Sequence, residues 1–88
     1  MTYGVILSEE VVHALRGMDA AAAARIYSWI GKNLEGCEDP RRTGKALAGD
    51  RSGEWRYRIG DYRLLAKIGE GTVTVFGFEV GHRSNVYD

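Results

Sequence analysis

Hydrophobic and polar positions follow two different periods along this chain, and the change of period divides it. Residues 3 to 7, YGVIL, are a short apolar run that predicts a strand. Beyond it Val11, Val12, Leu15 and Met18 fall on one face of a helix. Ser8 stands where an N-cap belongs, and Glu9 and Glu10 fill the first turn, where negative side chains meet exposed backbone N–H groups. Gly17 closes this helix or weakens its last turn. Asp19 is a second candidate cap, ahead of AAAAARIYSWIGKNLEG. Ala22 or Ala23, Ile26, Trp29, Ile30 and Leu34 recur there at helical spacing, and Gly36 is a natural stop, so the pattern predicts a helix from about residue 20 to 35. So short a join predicts an antiparallel helix hairpin.

Residues 36 to 53 keep neither period. This charged connector holds the only proline, Pro40, and Gly44, Gly49 and Gly53, and within it KALAG suits one short turn. From Glu54 the period becomes two. Trp55, Tyr57 and Ile59 alternate with Arg56 and Arg58; after a Gly60-Asp61 turn, Tyr62, Leu64, Ala66 and Ile68 alternate with Arg63, Leu65 and Lys67. Gly69 to Gly71 turn again, and Thr72 to Val80 make a last strand. The predicted order is β-α-α-β-β-β, one α+β domain over residues 1–88. Its N-terminal strand and helix hairpin pack on a mostly antiparallel four-stranded sheet, with one face covered and the other partly open.

Length and composition agree with one small folded domain: 88 residues, 44% hydrophobic and 27% charged. Cys37 is the only cysteine, so there is no internal disulfide and no CxxC pair for zinc. The start MTYGVILSEE lacks the basic, then apolar, pattern of a signal peptide, and no stretch is long and apolar enough to span a membrane. A cytoplasmic chain is the expectation. Twelve basic residues balance twelve acidic ones, which argues against a generally basic nucleic-acid binder. The balance is local, however. From Pro40 to Ile68 eight basic residues face only Asp50, Glu54 and Asp61, eight minus three giving +5. Alternation puts Arg56, Arg58, Arg63 and Lys67 on the open face, where like charges repel across strands. Two explanations stand: solvated arginines whose stems cover apolar area, or a site for an anion or an acidic partner.

The exit of the last strand, EVGHRSNVYD, adds Glu79, His82, Arg83 and Tyr87 beside Gly77 and Gly81. Here the sequence resembles a known family. GDYRLLAKIGEGTVTVFGFEVGHRSNVY is similar to the C-terminal half of the RelE/ParE superfamily of bacterial toxins, and closer to its RelE branch of ribosome-dependent mRNA endonucleases. The likeness rests on the GDYR strand opening, an I-x-x-G-x-V-x-V hairpin and the closing VGHR-x-x-VY. Upstream, LSEE and GKALAGDRSGEWRYRIGDYR also resemble the family.

The resemblance implies a toxin of a type II toxin–antitoxin system with a RelE-like fold, acting as a metal-independent mRNA endonuclease without cofactor. The RNA's own 2′-OH would attack the adjacent phosphorus, leaving a 2′,3′-cyclic phosphate and a 5′-OH. By position in the motif, Arg63 and Arg83 would hold the phosphate and stabilise the leaving group, and Tyr87 would position the attacking nucleotide. Arg56 and Arg58 fall where some relatives carry lysines. Planar guanidinium forks suit phosphate oxygens, and Lys67 would assist. His82 has the intrinsic pKa for acid–base work, and Glu79 is the other candidate base. The implied partners are a RelB-like antitoxin, mRNA on the ribosome, and operator DNA only through the antitoxin, with a heterotetramer as one assembly and no membrane. An antitoxin would dock on an apolar groove near Val11, Leu15 or Trp29, or along the sheet edge. The alternatives are a ParE-like inhibitor of DNA gyrase, an inactive member that only binds an antitoxin, and an unrelated α+β adaptor.

Overall fold

The structure, a computed structural model, describes residues 2–69 and 74–82. Strand β1 (Gly4–Leu7) leads into helix α1 (Glu9–Arg16), and α2 (Ala20–Asn33) follows after a short join. A two-residue strand β2 (Lys45–Ala46) and a 3-10 turn (Gly49–Arg51) precede β3 (Glu54–Ile59), β4 (Tyr62–Gly69) and β5 (Thr74–His82).

The α+β class and the strand-and-helix-hairpin start are as expected, but the sheet has five strands, not four. Its order is β1–β5–β4–β3–β2, with β1 parallel to β5 and the other pairs antiparallel. The extra strand lies in the connector, where KALAG was expected to make a turn. Lys45 and Ala46 pair with Arg56 and Trp55, and a run of two residues is too short to show a period.

Local chemistry explains the helix ends. The Ser8 hydroxyl accepts a hydrogen bond from the Val11 N–H at 3.1 Å, and Gly17 closes α1 with its N–H on the His13 carbonyl. Asp19 occupies the N-cap of α2 but makes no side-chain cap bond among the described residues. Past α2, Gly36 takes φ +77°, a value open to glycine, and turns the chain back along β1. There its N–H donates to the Tyr3 carbonyl, and the Tyr3 N–H donates to the Cys37 carbonyl, both at 2.8 Å.

The hairpin covers one face of the sheet. Val11, Leu15, Ile26, Ile30 and Leu34 pack on Tyr57, Ile59, Leu64, Ala66 and Val75. Val11 and Leu15, near which a docking groove was expected, are themselves core residues. Gly77 belongs to this face as well. A Cβ there would lie 3.0 Å from Leu7 Cδ2 and 3.2 Å from Leu64 Cδ1, so the close approach of β5 to its neighbours favours glycine. No described helix is long and apolar enough to cross a membrane.

Candidate functional site

Three rows of side chains cross the second face of the sheet, fixed by strand register. One row is Arg58, Arg63 and Gly81 on β3, β4 and β5; the next is Lys45, Arg56, Leu65 and Glu79 from β2 to β5. The third runs Glu54, Lys67, Phe76 and Ile6 and ends on β1.

This face is only partly open. Leu47 folds onto Leu65 and Phe78 to make a second small core, and the Gly49–Arg51 turn follows it over the sheet. Arg51 then bridges two strands. Its Nε donates to Glu54 Oε1 at 2.7 Å, and its Nη2 stands 3.7 Å from Glu79 Oε1. The bond to Glu54 raises the pKa of a guanidinium that already holds its proton, and Glu79 adds to the effect. The connector is tied to the sheet a second time by the buried Tyr57. Its hydroxyl donates to the Pro40 carbonyl at 2.7 Å, and its ring lies so close to Gly44 that a Cβ there would sit 2.7 Å from Cε1. Arg41 lies over the Trp55 ring, 5.8 Å from its centre.

The cations on this face are in different environments. Arg58 is exposed and Arg56 half-buried, whereas Arg63 is 1% exposed, the only charged side chain among the buried described residues. It is the cross-strand partner of Arg58 on one side and of Gly81 on the other. Gly81 places no side chain against it. One guanidinium nitrogen donates to the Tyr62 carbonyl at 3.2 Å. The picture of solvated arginines therefore does not describe Arg63. A guanidinium taken out of water keeps its charge and interacts strongly with whatever anion reaches it. Lys67 is exposed, with its Nζ 5.8 Å from the centre of the Phe78 ring.

The two acid–base candidates lie on opposite faces. Glu79 pairs with Leu65, on the face of Arg56 and Gly81, but Gly77 pairs with Ala66 on the helix side. Simple alternation puts Gly77, Glu79 and Gly81 together. It fails because Phe78 is an extra residue, a β-bulge that resets the parity of β5. His82 pairs with Tyr62, and their rings meet edge to face at 5.7 Å. That is the helix side, so His82 does not share a face with Arg56, Arg58 and Arg63. Arg83 and Tyr87, the remaining motif residues, lie outside the described residues. No group of three or more His, Cys, Asp or Glu among the described residues is placed to hold a metal.

Sequence reasoning missed Arg51, Lys45 and Phe78. The glycines at 49 and 53 signalled turns around Arg51, and a glycine inside a strand, Gly77, is a known sign of a bulge. The cross-strand place of Lys45 had no local signal.

Comparison with known proteins adds the following. Residues 5–87 match the family profile described as ParE toxin of type II toxin–antitoxin system, parDE. A chain of the toxin–antitoxin complex RelBE2 from Mycobacterium tuberculosis is similar at 28% identity and a TM-score of 0.85, over 94% of this chain and 100% of that one. A chain of the RelE–RelB complex from Pyrococcus horikoshii is similar at 23% identity and a TM-score of 0.72, over 98% and 100%. The isolated RelE toxin of E. coli has the same fold at 18% identity and a TM-score of 0.70, over 92% and 84%. A search of curated proteins gave no match.

Proposed function

The chain belongs to the ParE toxin family of type II toxin–antitoxin systems, within the RelE/ParE superfamily, and from that premise we propose that it is a RelE-like toxin that cuts messenger RNA on the ribosome. The observation that carries this reading is the buried Arg63 beside Arg58 and Gly81, on the cationic face of the sheet. A guanidinium withdrawn from water and fixed opposite a glycine suits a small, concentrated anion such as the phosphorane of a strand-cleavage transition state.

The RNA's 2′ oxygen forms a bond to the adjacent phosphorus as the bond to the 5′ oxygen breaks. A 2′,3′-cyclic phosphate and a 5′-OH result. Arg63 takes the non-bridging oxygens with its planar fork. Arg58 and Arg56 hold flanking phosphates, Lys67 reaches one further along the strand, and Arg83 supports the leaving oxygen, which takes its proton from solvent water. Tyr87 stacks on the nucleotide. We assign Glu79 as the acceptor of the 2′-OH proton, because it shares the arginine face. His82, on the helix side, is the less direct candidate. Much of the acceleration then comes from orienting the RNA and stabilising charge.

The reading also includes a RelB-like antitoxin as partner. It is supported by the similar chains, which come from complexes of that composition. A heterotetramer, and operator binding through the antitoxin alone, go with it.

A second reading, a toxin directed at DNA gyrase, is favoured by the family profile, whose description is ParE. One experiment separates the two. Purified protein is added to ribosomes stalled on a defined mRNA, to the same mRNA without ribosomes, and to a gyrase supercoiling reaction. Cuts confined to ribosome-bound message support the nuclease. Loss of supercoiling without cuts replaces it with the gyrase inhibitor. Neither effect, with antitoxin binding intact, leaves an inactive binding partner.

A further inference from the structure

Strand β1 is an edge of the sheet, and an edge strand offers unpaired N–H and C=O groups to any other strand. Even-numbered residues turn theirs toward β5, as the Ser8 N–H to Gly77 carbonyl bond shows; odd-numbered residues turn outward. The chain covers the first part of this outer edge itself. Tyr3 is paired with Gly36 and Cys37, and the Val5 N–H donates to the Glu35 carboxylate at 2.8 Å. Glu35 is exposed and lies just past the end of α2, where the Gly36 turn delivers it to the edge. Beyond it Leu7 lines an open groove of about 660 Å³ together with Glu9, Val12 and His13.

We propose that Glu35 is a guard that keeps this chain monomeric by occupying the place where a second copy would add its own β1. With Tyr3 already paired, an antiparallel β1–β1 contact has one self-consistent register. Val5 of each copy lies opposite Leu7 of the other, and Ile6 meets Ile6 on the two-fold axis. Val5 and Leu7 would each exchange N–H···O bonds with their partners. Ile6 would form the non-hydrogen-bonded pair, where side chains approach most closely. That residue is 55% exposed and neighbours Phe76, 40% exposed, on the same face. One two-fold contact would cover both. Glu35 prevents it by taking the Val5 N–H, which each copy must donate.

Sedimentation of the purified chain over a concentration series tests this. Wild type is expected at the mass of one chain, 9.8 kDa. Glu35→Gln keeps an amide oxygen to accept the bond and stays monomeric. Glu35→Ala, or Glu35→Ser if the alanine variant does not fold, self-associates to twice that mass, with dimerisation at least about tenfold tighter than wild type. Adding Ile6→Lys to Glu35→Ala sets like charges on the two-fold axis and restores the monomer. A folded Glu35→Ala or Glu35→Ser chain that stays monomeric overturns the proposal. So does self-association that Ile6→Lys leaves untouched, or a wild-type chain that already dimerises.

Discussion

Replacing Tyr57 by Phe removes one oxygen and leaves the ring where it is, so the change isolates the tie between sheet and connector. Tyr57 is fully buried, and its hydroxyl donates to the carbonyl of Pro40, itself buried, at 2.7 Å. The variant keeps the packing against Trp29, whose ring centre is 5.8 Å away. What it loses is the bond, and it leaves the Pro40 carbonyl without that donor. Such a loss costs about 1–3 kcal/mol. In a domain of this size each 1 kcal/mol lowers Tm by about 4–8 °C, so a drop of roughly 4–24 °C is expected by calorimetry or circular dichroism. The same hydroxyl carries a pH signature. Burial pushes its pKa well above the ordinary value of 10.0, with the charge on Cys37 adding to the shift. A raised folded-state pKa gives stability that is complete below the unfolded-state pKa. That stability is lost as pH rises from about 10 toward the folded value, because only the unfolded chain ionises there. Wild type should therefore lose stability above about pH 10 more steeply than Tyr57→Phe. A variant within about 0.5 kcal/mol of wild type, the range of an ordinary surface change, with an unchanged alkaline limb, would refute the clamp.

Three further outcomes follow from local contacts. Ser8→Ala should cost about 1 kcal/mol, whereas Asp19→Ala, whose side chain makes no cap bond, should cost far less; urea unfolding of the pair measures the contrast. Gly77→Ala forces a methyl to within 3.0 Å of Leu7 and 3.2 Å of Leu64 and should lose about 1–3 kcal/mol in the same assay. Burial, then the neighbouring Asp39, pushes the Cys37 thiol pKa up; alkylation by iodoacetamide near neutrality should be slower than for a free thiol and should catch up in alkali.

The parts of the fold written in strict period were legible from sequence. Trp55, Tyr57 and Ile59 face the helices, and Arg56 and Arg58 do not, as alternation requires. Ser8 caps its helix because a hydroxyl two or three residues ahead of free N–H groups is a local device. The misses came where a distant contact overrode the local pattern. The bulge at Phe78 reset the parity of β5 and moved Glu79 away from Gly77. Lys45 and Ala46 became a strand only because β3 was there to pair with. The burial of Arg63 depends on its neighbours in space, among them a glycine on another strand, which period two cannot register. The roles proposed for Arg83 and Tyr87 rest on a motif resemblance, since neither hydrophobic pattern nor charge singles them out.

Single-turnover cutting of ribosome-bound mRNA asks whether the arginine face centred on Arg63 performs RNA cleavage. Wild type, Arg63→Lys, Arg58→Ala and Arg83→Ala are compared, with the 3′ ends of the products identified chemically. Products with 2′,3′-cyclic phosphate ends are expected. A rate loss of about 10²–10³ is expected for Arg63→Lys, which keeps the charge but not the fork, and a smaller loss for the exposed Arg58. Cleavage that survives Arg63→Lys at the wild-type rate, or products ending in 3′-OH, would contradict this role of the face.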